Sequence, residues 1–160
     1  MALLTLNDHI VQHLESGLPI QVGTRNAFNK PAYTRSWGCK VNADHHSIIL
    51  FLYRSYCEQA LQNIQENGVY AAAFVNVFNY ETYQLKGTQA KILDDLTPYK
   101  DLLERYYQAQ ADMVTRLGLS PDTVDSMSGK SVDDYVPVYC PVEDCYSQTP
   151  GPGAGARVEL

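Results

Sequence analysis

The stretch Ala32–Val41 sets Arg35 in the middle of an otherwise large and apolar face. With strand alternation, Tyr33, Arg35, Trp37, Cys39 and Val41 share one side, and Ala32, Thr34, Ser36, Gly38 and Lys40 share the other. A guanidinium among such neighbours is costly to desolvate unless it meets an anion. That anion is either a carboxylate of the protein or of a neighbouring subunit, which makes Arg35 structural, or a ligand phosphate gripped bidentately. Gly38 offers a place for a bulge that would bring Lys40 round to the side of Arg35. Tyr53, Arg54 and Ser55 mark the end of an apolar strand and the start of a helix, where unpaired N–H groups and the helix dipole favour phosphate. Ser55 also reads as a plain N-cap, with Glu58 completing a capping box. Gln84 and Lys86 lie on one face with Thr82 and Thr88. That stripe is either a donor set for an anionic or carbonyl-rich ligand, or the solvent face of an edge strand.

Several familiar chemistries have no counterpart. There is no Gly-x-Gly-x-x-Gly, Walker loop, His-Glu-x-x-His or Gly-x-Ser-x-Gly pattern, and no residue stands out as a nucleophile or general base. His9 and His13 are helical neighbours without a third ligand nearby, so they read as surface histidines, and His45-His46 read as solvated turn residues. The four cysteines form no Cys-x-x-Cys pair and read as reduced thiols. A bound cofactor that brings its own chemistry suits such a chain.

The elements that must position these residues follow from periodicity and turn signals. A helix is expected over Leu6–Ser16, opened by a Thr5/Asp8 capping box. Strands are expected at Leu18–Thr24, Ala32–Val41 and Ser47–Tyr53, with hairpin-length connections. A helix from Ser55 to Asn67 precedes a strand at Val69–Phe78, apolar enough to be covered on both faces, and another at Thr82–Ile92. A long helix spans Pro98–Leu117, a short one ends near Met127, and a last strand lies between Tyr135 and Val142. The order α-β-β-β-α-β-β-α-α-β predicts an α+β, mainly β protein: a closed or nearly closed antiparallel barrel with helices outside. Residues 1–147 read as one domain and 148–160 as a Gly/Pro-rich tail.

Composition limits the partners. The chain has 160 residues, 45% hydrophobic and 19% charged, with 12 Tyr against 4 Phe. Twelve bases against eighteen acids give −6, which argues against a nucleic-acid partner. Residues 23–54 nevertheless carry Arg25, Lys30, Arg35, Lys40 and Arg54 against Asp44, a basic zone suited to a small anion. Residues 94–144 hold 4 bases and 11 acids, a net −7. No apolar run reaches membrane-spanning length and the start has no basic or apolar leader, so the expected location is the cytoplasm, with no membrane partner.

Val22–Gly38 (Val-Gly-Thr-Arg-Asn-Ala-Phe-Asn-Lys-Pro-Ala-Tyr-Thr-Arg-Ser-Trp-Gly) resembles the opening strands of the pyridoxamine 5'-phosphate oxidase-like, FMN-binding split-barrel family. The Tyr-Gln-Leu-Lys-Gly segment and the closing Gln-Thr-Pro-Gly-Pro-Gly-Ala-Gly are similar to it too, the latter to an uncharacterised branch. The resemblance implies a six-stranded split β-barrel with peripheral helices, a homodimer, and FMN in clefts at the dimer interface. It implies phosphate binding by Arg35, Lys40 and the Arg54-Ser55 turn. It makes Trp37, Tyr53, Gln84 and Lys86 candidates for the rest of the cofactor site. The family's Ser-Arg-Lys phosphate grip and its C-terminal Trp and Arg have no counterpart. True pyridoxine-phosphate oxidase activity is therefore not expected. The expected function is an FMN-dependent oxidoreductase acting on a small molecule; the alternative is a non-catalytic split barrel that holds haem or flavin.

Overall fold

A computed structural model describes residues 3–128 and 131–159. The first two residues of the start and the last residue of the tail lie outside the described residues. The elements run α1 (Asp8–Leu14), β1 (Ile20–Arg25), β2 (Pro31–Val41), β3 (Ser47–Tyr53), α2 (Glu58–Asn67), β4 (Tyr70–Val75), β5 (Thr82–Gly87), β6 (Lys91–Ile92), α3 (Lys100–Arg116), α4 (Asp122–Met127), β7 (Tyr135–Pro141) and β8 (Asp144–Ser147). All strand pairs are antiparallel, in the order β6-β7-β3-β2-β1-β4-β5-β8.

The two ends of this order are joined in sequence. Only Val142 and Glu143 separate β7, which pairs with β3, from β8, which pairs with β5. The Val142 amide still donates to the His46 carbonyl beside β3, and the Glu143 amide already donates to Lys86 of β5, each at 2.9 Å. β7 and β8 are therefore two halves of one bent strand, and the sheet closes on itself. Counted that way, the barrel wall has the six strand positions expected, with β6 as a two-residue addition on β7.

Alternation decides which side chains fill the barrel. Ile20 and Val22, Cys39 and Val41, Ile48, Leu50 and Leu52, Tyr70, Ala72 and Phe74, Leu85, Val138 and Cys140 form one buried cluster with Leu6, Ile10 and Leu14 of the N-terminal segment and Ala60 and Ile64 of α2. The other face of β2, β3 and β7 carries a second core: Trp37, Ile49, Phe51 and Tyr135 under Leu103, Ala111 and Val114 of α3 and Val124 of α4. β3 is buried on both faces, which is why its sequence is a continuous apolar run. β4 is not: Ala71, Ala73 and Val75 stay half-buried.

β2 carries a register shift between Ser36 and Cys39, where the Gly38 bulge was expected. A side chain at Gly38 would meet Phe51 at 3.1 Å and Leu102 and Tyr106 of α3 at 3.5 Å, so α3 packs directly over the bulge. α3 is tied down from below: Tyr106 Oη donates to the Leu14 carbonyl at 2.7 Å, and Gln110 Nε2 to the Gly17 carbonyl at 2.6 Å.

Several local expectations are corrected. Asn7, not Thr5, caps α1, accepting from the Ile10 amide at 3.0 Å. Ser55 does not cap α2: Arg54–Tyr56 form a 3₁₀ turn, α2 starts at Glu58, and Cys57 holds the cap position without a side-chain bond. The expected long strand Thr82–Ile92 breaks after Gly87 because Thr88 turns away to bond Glu143 through its Oγ1 at 2.7 Å. The Gly/Pro-rich tail folds back on β8: Ser147 and Val158 amides donate to Ala156 and Cys145 carbonyls, and Arg157 pairs with Asp144 at 2.5 Å. No described helix is long and apolar enough to cross a membrane.

Candidate cofactor cleft

The outer face of β2 meets the end of β3 beneath α4. There a cleft of about 470 Å³ is lined by Tyr33, Arg35, Trp37, Tyr53, Tyr56 and Met127, among others. Strand alternation sends Arg35 and Trp37 outward together. Tyr53 is the last residue of β3, and the 3₁₀ turn after it brings Tyr56 back against it, ring centroids 5.1 Å apart and edge-on. The Arg35 guanidinium lies 5.2 Å from the Trp37 ring centroid, and its Nη1 approaches Met127 Sδ at 3.9 Å.

Among the described residues, Arg35 has no ion pair. Of the two readings open from sequence, the intramolecular structural pair is thus not what the fold provides. A half-buried cation is left facing an aromatic cleft, an arrangement that can receive an anion such as phosphate and stack a planar ring beside it. Arg54 and Ser55 sit on the adjoining turn, both exposed.

The other candidates lie elsewhere. The bulge does bring Lys40 to the outer face, but α3 crosses at Gly38, and Lys40 lines a separate cavity with Glu15, Arg105 and Tyr106. Gln84 and Lys86 are on β5, across the barrel from β2. Gln84 Oε1 accepts from Gln148 Nε2 at 3.4 Å, and Lys86 Nζ lies 4.5 Å from the centroid of the Tyr146 ring. One chain therefore unites Arg35, Trp37 and Tyr53, with Arg54 and Ser55 at the edge, and holds Lys40, Gln84 and Lys86 apart. Tyr33, set on the face of Arg35 by strand alternation, lines the cleft as well, whereas Tyr56, Ser126 and Met127 were not foreseen. Tyr56 had one signal, an aromatic three residues beyond Tyr53, whereas nothing local ties α4 to Arg35.

Among the described residues the cysteines do not offer an ionised thiol. All four cysteines are free and buried. Burial pushes Cys57 up to about 11 and Cys145 up to about 12, and raises Cys39 and Cys140 as well, so the thiols stay protonated. The histidines are structural. His45 and His46 are not simply solvated: each uses Nδ1 to bond an N-terminal carbonyl, Leu6 or Leu4, at 3.1 Å. His13 is buried rather than on the surface, bonding the Phe74 carbonyl at 3.2 Å, and no metal-binding trio exists among the described residues.

Glu81 joins His9, at 2.8 Å, to His13, at 3.6 Å, and accepts from Tyr83 Oη at 3.0 Å. The His9 bond leads in holding the Glu81 carboxyl below its usual range, against the opposing effect of burial. A lowered carboxyl contributes stability that is present above its unfolded pKa and lost as pH falls through the folded one. Thermal melts of the protein and of Glu81→Gln should therefore differ near neutrality, by no more than about 4 °C for so exposed a pair. The two melts should converge below the carboxylate range; a gap that persists in acid contradicts this.

No protein-family model matches the chain, and no curated protein matches it. Solved structures do. HupZ from Group A Streptococcus shares 19% identity, with a TM-score of 0.57 over 94% of this chain and 100% of that one. A putative pyridoxamine 5'-phosphate oxidase from Lactobacillus delbrueckii shares 12%, with a TM-score of 0.55 over 89% of this chain and 93% of that one. An F420 reductase shares 12%, with a TM-score of 0.56 over 88% of this chain and 98% of that one. At such identities the likeness is one of fold. The closed sheet with its bent last strand, matched along nearly the full length of these proteins, gives the chain the split-barrel fold of the pyridoxamine 5'-phosphate oxidase-like proteins.

Proposed function

We propose that the protein binds FMN in the Arg35 cleft and serves as an oxidoreductase for a small organic molecule. The observation that carries this reading is a guanidinium without a carboxylate partner among the described residues, set among Trp37, Tyr53 and Tyr56 in a cavity of about 470 Å³. That volume suits a cofactor-sized ligand. A phosphate would take the Arg35 fork, and the aromatic rings would flank the planar part. When bound, FMN supplies hydride acceptance and donation. The chain's own residues bind it, orient it and keep water from one face. Two structures that share the fold are named a reductase and a putative oxidase, which supports the same class.

The cleft is open, and Tyr33 and Tyr56 beside it are 65% and 70% exposed. A second copy of the chain would cover these rings and complete the site. Lys40, Gln84 and Lys86 take part only if that copy carries them there.

The test is to saturate the purified protein with FMN, remove free ligand by gel filtration and record the visible spectrum and the elution volume. Retained flavin at one per chain in a dimer-sized peak is expected, with bleaching by a nicotinamide donor under anaerobic conditions. Flavin lost completely overturns the cofactor reading. Flavin that is retained but never reduced leaves a binding protein without turnover, and a haem band on purification selects the other cofactor.

A further inference from the structure

Arg35 has one neighbour in the cleft to which flavin binding gives no task. Met127, the last residue of α4, brings its Sδ to 3.9 Å from Arg35 Nη1. A thioether sulfur is a weak acceptor, so it satisfies little of a guanidinium that has no ion pair among the described residues. Met127 is 39% exposed and lines the cleft, so a small oxidant in solution reaches its sulfur.

The other sulfurs are shielded. Met113 is half-buried, packed against the apolar layer beneath α3. Cys39, Cys57, Cys140 and Cys145 are buried, and burial keeps each thiol protonated, so none offers a peroxide the thiolate it attacks fastest. Among the described residues, Met127 is therefore the sulfur most open to a peroxide, and it is the one that touches the cation of the cleft.

We infer that Met127 is a modification site: hydrogen peroxide oxidises it to the sulfoxide, which engages Arg35 and weakens anion binding in the cleft. The step is a two-electron oxygen transfer. The Sδ lone pair attacks one peroxide oxygen, and the S–O bond forms as the O–O bond breaks. The departing hydroxide takes the proton of the transferred oxygen and leaves as water. Sulfur is oxidised and peroxide is reduced. The product stays neutral but carries a strong acceptor, which can lie in the gap to Nη1 and take a hydrogen bond of about 2.9 Å. A charge-assisted bond thus replaces a weak N–H···S contact and removes a donor from the fork that a phosphate would use. Sulfoxide reductases restore the thioether, so the change is reversible. Its effect on FMN rests on the flavin reading; the coupling of Met127 to Arg35 does not.

The experiment treats the purified, flavin-free protein with hydrogen peroxide and follows each methionine by peptide mass spectrometry. Met127 should reach the sulfoxide before Met113. The emission of Trp37, the chain's one tryptophan, should change in step, because its ring lies 5.2 Å from the Arg35 guanidinium. Methionine sulfoxide reductase should reverse the change. The response should vanish in Met127→Leu, a volume-conserving change that keeps the fold, and be largely lost in Arg35→Ala. Oxidation should weaken FMN about tenfold in the parent and leave riboflavin unchanged, while Met127→Leu gives the same FMN affinity before and after peroxide. Met113 oxidised ahead of Met127, an emission change undiminished in Arg35→Ala, or FMN binding untouched by oxidation of Met127, overturns the proposal. A chain that binds no FMN before treatment defeats the flavin reading instead, and the emission change in the parent against Arg35→Ala then decides the role of Met127.

Discussion

Gly87→Ala should lower the melting temperature by about 6–12 °C, the effect of about 3 kcal/mol in a chain of this size. A β-carbon at Gly87 would lie against the Pro141 carbonyl and 2.7 Å from the Tyr70 ring. Neither neighbour can yield easily. Pro141 ends β7 immediately before the bend that passes the strand from β3 to β5, and its carbonyl accepts the Tyr70 hydroxyl at 2.9 Å. Tyr70 is 2% exposed and fully surrounded by the barrel core. The added methyl must therefore push open the closure of the barrel or turn out a buried ring whose hydroxyl then loses its acceptor. Gly23→Ala is the control: it lies in β1, and a β-carbon there meets nothing within 4 Å. It should shift stability by less than about 0.5 kcal/mol. Equal melting temperatures for the two variants would show that the closure at Pro141 is loose.

That closure was the part of the fold least legible in the sequence. β3 was readable to the residue, because a strand buried on both faces has no polar positions to blur its ends. β2 was readable through its alternation, and Gly38 marked the bulge that the register confirms. The Val142–Glu143 bend carries no Gly and no turn pair. What permits it is tertiary: Glu143 is buried and spends its carboxylate on the amide and hydroxyl of Thr88, 55 residues away. The Ser55 cap failed for a similar reason. A capping box describes a helix that starts freely, whereas here the chain first makes a 3₁₀ turn that sets Tyr56 against Tyr53.

The site was half legible on the same grounds. Arg35, Trp37 and Tyr53 are neighbours through β2–β3 pairing, which strand patterns reveal. Lys40 has the right spacing and the right face, yet α3 lies across Gly38 between it and Arg35, and only docking of the helix decides that. The same docking sets α4 beside Arg35, with Met127 against the guanidinium. A local reading of residues 120–128 contains no sign of that contact.

Arg35→Ala should weaken FMN binding by about 10- to 100-fold, the range of about 1.5–3 kcal/mol that a charge-assisted hydrogen-bond partner contributes. Riboflavin, which lacks the phosphate, should bind the variant and the parent with nearly equal affinity. The melting temperature should move by only a few degrees. The guanidinium has no ion pair among the described residues and is lost mainly from its contact with Trp37, which contributes about 0.5–1 kcal/mol at a partly exposed site. These three readouts separate the roles open to Arg35. A structural arginine predicts lost stability with flavin content unchanged. A ring-stacking arginine predicts that riboflavin and FMN weaken together. Only a phosphate ligand predicts loss confined to FMN. Arg35→Lys refines the point, because an ammonium keeps the charge but loses the planar fork, so it should recover part of the affinity and none of the bidentate geometry. If Arg35→Lys binds FMN as well as the parent, the site needs a positive charge near Trp37 and not the fork itself.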